Sequence, residues 1–326
     1  MSTCTAAEPH LRNAAVFCSE EEGSKVAKAA KTVKNGFSLE KKENRTGWIF
    51  LAPAVVLIAV MSFYPMIRAL ILSFETGAGK NMRWTGITNY TRMFQDKLFI
   101  QSLGNTFLYL IIQVPIMLVL ALIFATLLNN KNLRCKGLFR TMIFLPCATS
   151  LVSYAIIFRS LFANDGFVNR ILMSIGLISS PVAWLTTTWT ARLVIILALV
   201  WRWTGYNMVF YLAGLQNIDY SVYEAAAIDG ASPWTTFWKI TVPLLKPTIL
   251  LTAIMSTNGT LQLFDESVNL TAGGPANTTM TMSHYIYNLS FQGAPNFGYA
   301  SALAFVILIL VAILAFVQMK AGDSRD

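Results

Sequence analysis

The sequence predicts an all-α membrane protein with six transmembrane helices, and three observations lead there. Of 326 residues, 55% are apolar and 13% charged, with mean hydropathy +0.54, too apolar for one or two water-soluble domains of that length. Six stretches are long and apolar enough for a hydrocarbon core that takes roughly 20 residues of helix to cross. Basic residues are also segregated by loop: segments 1–47, 129–140, 216–246 and 320–326 hold 16 Lys and Arg, against five in 75–102, 162–188 and 265–298. Cytoplasmic loops carry such an excess, so both termini are expected in the cytoplasm. The net charge of +9 is therefore read as membrane topology rather than as a nucleic-acid surface. Four cysteines, Cys4, Cys18, Cys135 and Cys147, exclude a disulfide scaffold and have no metal-ligand spacing.

Residues 1–47 form a polar cytoplasmic tail in which Glu20, Glu21 and Glu22 precede Lys25, Lys28, Lys31, Lys34, Lys41 and Lys42. No apolar h-region precedes Lys42, so insertion is expected to begin with the first span rather than with a cleaved signal. The membrane domain then occupies 48–320, with spans at 48–74, 103–128, 141–161, 189–212, 247–264 and 299–319, and residues 321–326 form a second cytoplasmic tail. The external segment after the third span carries Trp184, which with Trp189 reads as an interfacial aromatic. His10, in the tail, and His284, in an external loop, look neither catalytic nor metal-bound.

The loop 216–246 is longer than a turn between two spans needs. Asp219 can N-cap a short helix through Asp229, and Gly230 stands where a C′ residue takes positive φ. Ser232 followed by Pro233 restarts a second short helix, as N-cap and N1. Pro243 and Pro247 are expected to end it before the fifth span. The run Glu224-Ala225-Ala226 gives the first helix small side chains and one acid, a surface on which another backbone can settle closely.

Glu224-Ala225-Ala226 followed by Asp229-Gly230-Ala231, Phe237, Ile240, Pro243 and Pro247 resembles the EAA loop of the membrane subunits of binding-protein-dependent ABC importers. Leu270-Thr271-Ala272-Gly273-Gly274-Pro275 with Thr279, and Asn89-Tyr90, Asn105-Thr106, Leu145-Pro146 and Gly298-Tyr299-Ala300-Ser301-Ala302, narrow the resemblance to the carbohydrate class, the lactose-type and MalF-like permeases. It covers residues 48–319. It implies the type I ABC importer permease fold, with a cytoplasmic coupling helix between helices 4 and 5, and Glu224, Ala225, Ala226, Asp229, Gly230 and Ala231 as the ATPase-coupling residues. It also implies the partners: a second permease subunit, expected to be a different chain, two ATPase subunits, an external solute-binding protein and a sugar. No phosphate-binding G-x-x-x-x-G-K-[ST] motif occurs, so the chain is expected to be non-catalytic and to hold no cofactor, with ATP and Mg on the partner ATPase.

A polar group within the bilayer needs a partner or a wet cavity. Counting in from Pro247 at 1.5 Å per residue puts Ser256 to Thr260 near the midplane, with Ser256, Gly259, Thr260 and Leu263 on one face. In the fourth span the same depth holds Arg202, Trp203, Tyr206 and Asn207. An aromatic plate beside amides and hydroxyls suits a sugar, so Trp203, Tyr206, Asn207, Ser256, Gly259, Thr260 and Leu263 are candidates for the substrate path. The competing expectation is helix packing, with Arg202 paired to Asp265 or Glu266. Two other functions stay open: a stand-alone secondary transporter or channel, and an ABC permease for a non-sugar solute such as a glycerol phosphate.

Overall fold

The computed structural model describes residues 46–77, 82–130 and 133–322. The tail through residue 45, the absence of a signal segment and residues 323–326 lie outside the described residues. The chain divides into two units, Met1–Arg68 and Ala69–Asp326. The described part of the first unit, residues 46–68, is helical, and every side chain along it is exposed.

Among the described residues five helices are long and apolar enough to cross a membrane: α1 (Thr46–Ser73), α3 (Lys97–Asn129), α7 (Thr188–Gln216), α9 (Pro233–Leu261) and α12 (Phe297–Gly322). Each overlaps one of the apolar runs read from the sequence. The third run differs. It forms two helices, α4 (Lys136–Ala148) and α5 (Leu151–Leu161), bent by 99°. Between them Thr149 and Ser150 are extended, with ψ of 152° and 136°, and the Thr149 hydroxyl turns back to the Pro146 carbonyl at 2.7 Å. A local side-chain bond of this kind competes with continuation of a helix, and Pro146 is itself a poor helix residue. The run is apolar enough to span, but its polar pair breaks the backbone.

The fifth run is corrected in the other direction. The chain from Pro233 does not stop at Pro243; it continues as one helix to Leu261. A π-helical turn at Phe237–Thr241 precedes Pro243, which then falls in the first turn of the following α-helical stretch, and Pro247 lies inside that stretch. The widened turn shifts the hydrogen-bond register just where Pro243 cannot donate.

The shorter elements are α2 (Thr88–Met93), α6 (Phe167–Ser174), α8 (Tyr220–Ile228), α10 (Asp265–Asn269) and α11 (Met282–Phe291). A hairpin pairs β1 (Glu75–Thr76) with β2 (Arg83–Trp84), Glu75 opposite Trp84 and Thr76 opposite Arg83. In the second unit α3 and α7 form the central pair, closely packed because Ala121 and Ala125 on one and Ala191 and Ala198 on the other are fully buried. Helix α7 also abuts α4, where a Cβ on Gly205 would overlap the Ile143 carbonyl. Helices α9 and α12 pack together, and α11 and α12 enclose a cluster around Met282, Tyr299 and Leu303.

Candidate functional site

Helices α3, α7 and α9, with the turn that follows Leu261, surround a cavity of about 290 Å³. Trp203, Tyr206 and Asn207 reach it from α7, and Ser256, Gly259 and Thr260 from α9, with Leu263 beyond. All seven residues picked out by depth and spacing thus lie on one wall or another of the same space. Trp203 and Tyr206 meet edge to face at 5.8 Å, and Tyr206 does the same with Phe210 at 5.1 Å, which fixes the aromatic plates.

The polar groups are partly spoken for. The Asn207 amide donates to the Trp203 carbonyl at 3.0 Å, and Ser256 donates to Asn207 Oδ1 at 3.4 Å. The single hydroxyl hydrogen of Thr260 is shared between Gln113 Oε1 at 3.1 Å and the Ser256 carbonyl at 2.9 Å. Thr260 therefore offers an incoming ligand an acceptor rather than a free donor. Gln113 on α3 lines the cavity as well, and so do Phe264, Asp265 and Glu266. Depth arithmetic on α7 and α9 missed these. Gln113 was recoverable, being an amide within an apolar run of thirty-three residues.

Arg202 makes neither of the ion pairs considered for it. Its guanidinium donates to the Pro146 carbonyl at 3.2 Å, the Cys147 carbonyl at 3.3 Å and the Thr149 hydroxyl at 3.4 Å. Those carbonyls end α4 at the 99° break, where the Pro146 carbonyl also accepts from the Thr149 N–H and hydroxyl. The same guanidinium lies 4.7 Å over the Tyr154 ring, and the Tyr154 hydroxyl donates to Glu266. The cation and the buried acid are linked through an aromatic ring rather than by direct contact.

The second candidate region is the α8 loop. Asp219 caps α8, its carboxylate accepting from the Ser221 N–H at 3.0 Å; that bond holds its carboxyl below the usual carboxylate range. At the other end Gly230 has φ +73°. The Gly230 N–H donates to the Ala227 carbonyl and that of Ala231 to Ala226, the pair of bonds of a Schellman motif. Ser232 then caps α9, accepting from the Thr235 N–H at 3.2 Å, with Pro233 at its start. Glu224, Ala225, Asp229 and Gly230 are exposed, Ala231 is half-buried and Ala226 alone of the six is buried. The acid of this helix is therefore solvent-facing, and Ile228 on the same helix is 86% exposed.

The signature from Leu270 to Thr279 is used differently. Ser267 donates to the Thr279 carbonyl at 2.9 Å, and Thr279 to the Gly274 carbonyl at 2.7 Å. Asn105 donates to the carbonyls of Asn277 at 3.1 Å and Met280 at 2.9 Å, and accepts from Arg192, which also holds the Thr278 carbonyl. His284 is buried in α11 and bonded to Ser267 at 2.8 Å, rather than lying in a loop. Trp184 likewise turns inward, donating to Asn169 at 2.8 Å, whereas Trp189 stays exposed. Asn89 donates to the Ser73 and Glu75 carbonyls, and a Cβ on Gly298 would overlap the Glu75 carbonyl.

Residues 97–323 match the family model described as binding-protein-dependent transport system inner membrane component. The chain is 53% identical over 290 residues to the lactose transport system permease protein LacF of Rhizobium radiobacter, covering 88% of this chain and 97% of that one. It is 32% identical over 296 residues to the arabinooligosaccharides transport system permease protein AraP of Halalkalibacterium halodurans, covering 88% and 92%. A solved bacterial ABC transporter involved in import of the acidic polysaccharide alginate superposes with a TM-score of 0.75 at 25% identity, over 86% of this chain and 96% of that one. With its apolar helices, its α8 loop and a family match over more than half its length, the chain belongs to the binding-protein-dependent transport system inner membrane components, the permease subunits of ABC importers.

Proposed function

We propose that this chain is a membrane-spanning subunit of an ATP-driven importer and carries a sugar, a di- or oligosaccharide, through the α3–α7–α9 cavity by alternating access. The observation that carries the proposal is the cavity itself. It brings the Trp203 and Tyr206 rings, the amides of Gln113, Asn207 and Gln262 and the hydroxyls of Ser256 and Thr260 to one space. Sugars present C–H faces that stack on aromatic rings and hydroxyls that take up amide hydrogen bonds, so such a lining replaces water on both kinds of surface. The relatedness to permeases named for lactose and arabinooligosaccharide transport supports the same class of cargo.

In this reading the α8 loop faces the cytoplasm with both termini, as the 16-to-five division of basic residues favours. Glu224 to Ala231 dock on one of two ATPase subunits, where ATP and Mg are held, and a second permease completes the pathway. A solute-binding protein delivers the sugar at the other face. Closure of the ATPase pair pushes α8, and the Schellman turn passes that displacement to α9, which carries Ser256 and Thr260.

Tyr206→Ala removes a cavity plate without touching the α8 loop. In the importer reconstituted with its partners it should cut sugar uptake per assembled complex at least tenfold, the worth of roughly 1.4 kcal/mol, while the complex keeps its ATPase subunits. Full uptake per complex by this variant would place the sugar's contacts outside this cavity.

A further inference from the structure

The charge of the cavity wall narrows the cargo further, an inference that rests on the cavity being the sugar's path. Asp265 and Glu266 both line it, and among the described residues no Lys, Arg or His does. Glu266 is 3% exposed. An acid is rarely buried without a compensating partner, and here the Tyr154 hydroxyl and the residue's own backbone N–H supply one hydrogen bond each. A carboxylate has two oxygens and about four acceptor positions, so Glu266 retains acceptor capacity toward the cavity it lines. Arg202 does not pair with it: its terminal guanidinium N–H groups go to the carbonyls that end α4. Across the space stand Trp203, Tyr206 and the amides of Asn207 and Gln113. From these positions we infer that the cavity selects uncharged saccharides: Glu266 and Asp265 accept sugar hydroxyls, and the Asp265 carboxylate repels saccharides bearing a carboxylate.

The physical basis is an asymmetry. A sugar hydroxyl gives a buried carboxylate a charge-assisted hydrogen bond. A uronate would place a second negative charge within the same poorly solvated space, where like charges close together are strongly unfavourable. The related fold that imports alginate, an acidic polysaccharide, shows that helices in this arrangement can accommodate an acidic cargo. The Asp265 carboxylate on this wall, rather than the fold, sets the preference.

Cellobiose and cellobiouronic acid differ by one CH₂OH replaced by a carboxylate. Their equilibrium binding, with lactose as a second neutral probe, should be measured on the assembled permease–ATPase complex without the external binding protein. The wild type should bind both neutral disaccharides and should bind cellobiouronic acid at least tenfold more weakly than cellobiose. Asp265→Asn, which leaves the Tyr154–Glu266 pair intact, should shrink that gap to threefold or less. Glu266→Gln should weaken neutral-sugar binding, because it replaces an acceptor of the sugar hydroxyls with an amide held by Tyr154. Equal wild-type binding of cellobiose and cellobiouronic acid overturns the charge selection and leaves the cavity standing as the sugar site. An unchanged gap in Asp265→Asn also overturns it. No binding of either neutral sugar, or neutral-sugar binding indifferent to Trp203→Ala, overturns the sugar-path reading on which it rests.

Discussion

The α8 loop and the segment 270–281 both carry sequence signatures of comparable length, yet they dispose of their polar groups in opposite ways. In the segment 270–281 side chains turn inward. Thr279 and Thr281 are fully buried, and the carbonyls of Ala276, Asn277, Thr278 and Met280 are each held by a side chain from α3 or α7. Those ties hold Ala272, Ala276 and Asn277 at positive φ, between 46° and 61°, a conformation L-residues leave unless their surroundings fix it. In the α8 loop the backbone bonds outside the helix lie at the two caps and the Schellman turn, Tyr223 meets the Thr241 hydroxyl, and Glu224, Ala225 and Ile228 stay exposed. A signature whose polar groups are all internally satisfied describes architecture. One that ends in caps around exposed side chains describes a surface awaiting a partner.

The sharpest way to break that contrast is to cut one tie in each region. Asn105→Ala removes two donated bonds and one accepted from Arg192, a loss of roughly 2–4 kcal/mol when buried partners go unsatisfied. Thermal unfolding of the purified complex should shift down by several degrees. Ile228→Ser, at the exposed end of α8, should leave the unfolding temperature unchanged and reduce ATPase retention. Equal loss of stability in both variants would erase the distinction.

A smaller effect is expected at Gly230. Space around it is open, so Gly230→Val should meet only the backbone penalty of its positive φ, about 1–3 kcal/mol. Gly230→Asn should meet much less, since Asn visits that region readily. Sugar-stimulated ATP hydrolysis should therefore fall in the Val variant and survive in the Asn variant. Parallel loss in both would mean that the lack of a side chain at 230, not its backbone, is what docking requires.

The smallest effect distinguishes two carboxylates by pH. Burial pushes the Asp96 carboxyl up, but hydrogen bonds from the Tyr285 and Tyr299 hydroxyls and the Leu98 and Phe99 N–H groups outweigh it and hold it below the ordinary 3.8. Its folded value is depressed, so its stabilising contribution is complete above the unfolded value and is lost as pH falls through the folded one. Asp96 ties the start of α3 to α11 and α12. Asp96→Asn should flatten the decline of unfolding temperature below about pH 4. Asp219→Asn should leave that acid limb in place, because its carboxylate caps a single exposed helix.

Much of this fold is legible in the apolar runs, because helices long enough to cross a bilayer must be apolar over most of their length. The capped α8 helix was equally legible, since Asp219, Gly230 and Ser232-Pro233 act through local backbone geometry. Two things were not. The break at Thr149 and the continuity through Pro243 depend on how freed backbone groups are satisfied, by Arg202 in one case and a π-helical turn in the other. The cavity was half legible. Residues on α7 and α9 could be placed by depth, but Gln113 joins them only because α3 packs on α7, and Glu266 only because α10 folds back under Tyr154.

The bend between α4 and α5 also sets an order of events in biosynthesis. At 1.5 Å per residue, the 13 residues of α4 and the 11 of α5 reach roughly 20 and 17 Å, and neither alone covers a hydrocarbon core of about 30 Å. Only the two together are long enough to form one broken segment of the membrane domain. Arg202, which holds the broken end, is synthesised 56 residues after Pro146. The segment thus enters the bilayer before its clamp exists, and its corner becomes permanent only when α7 arrives beside it.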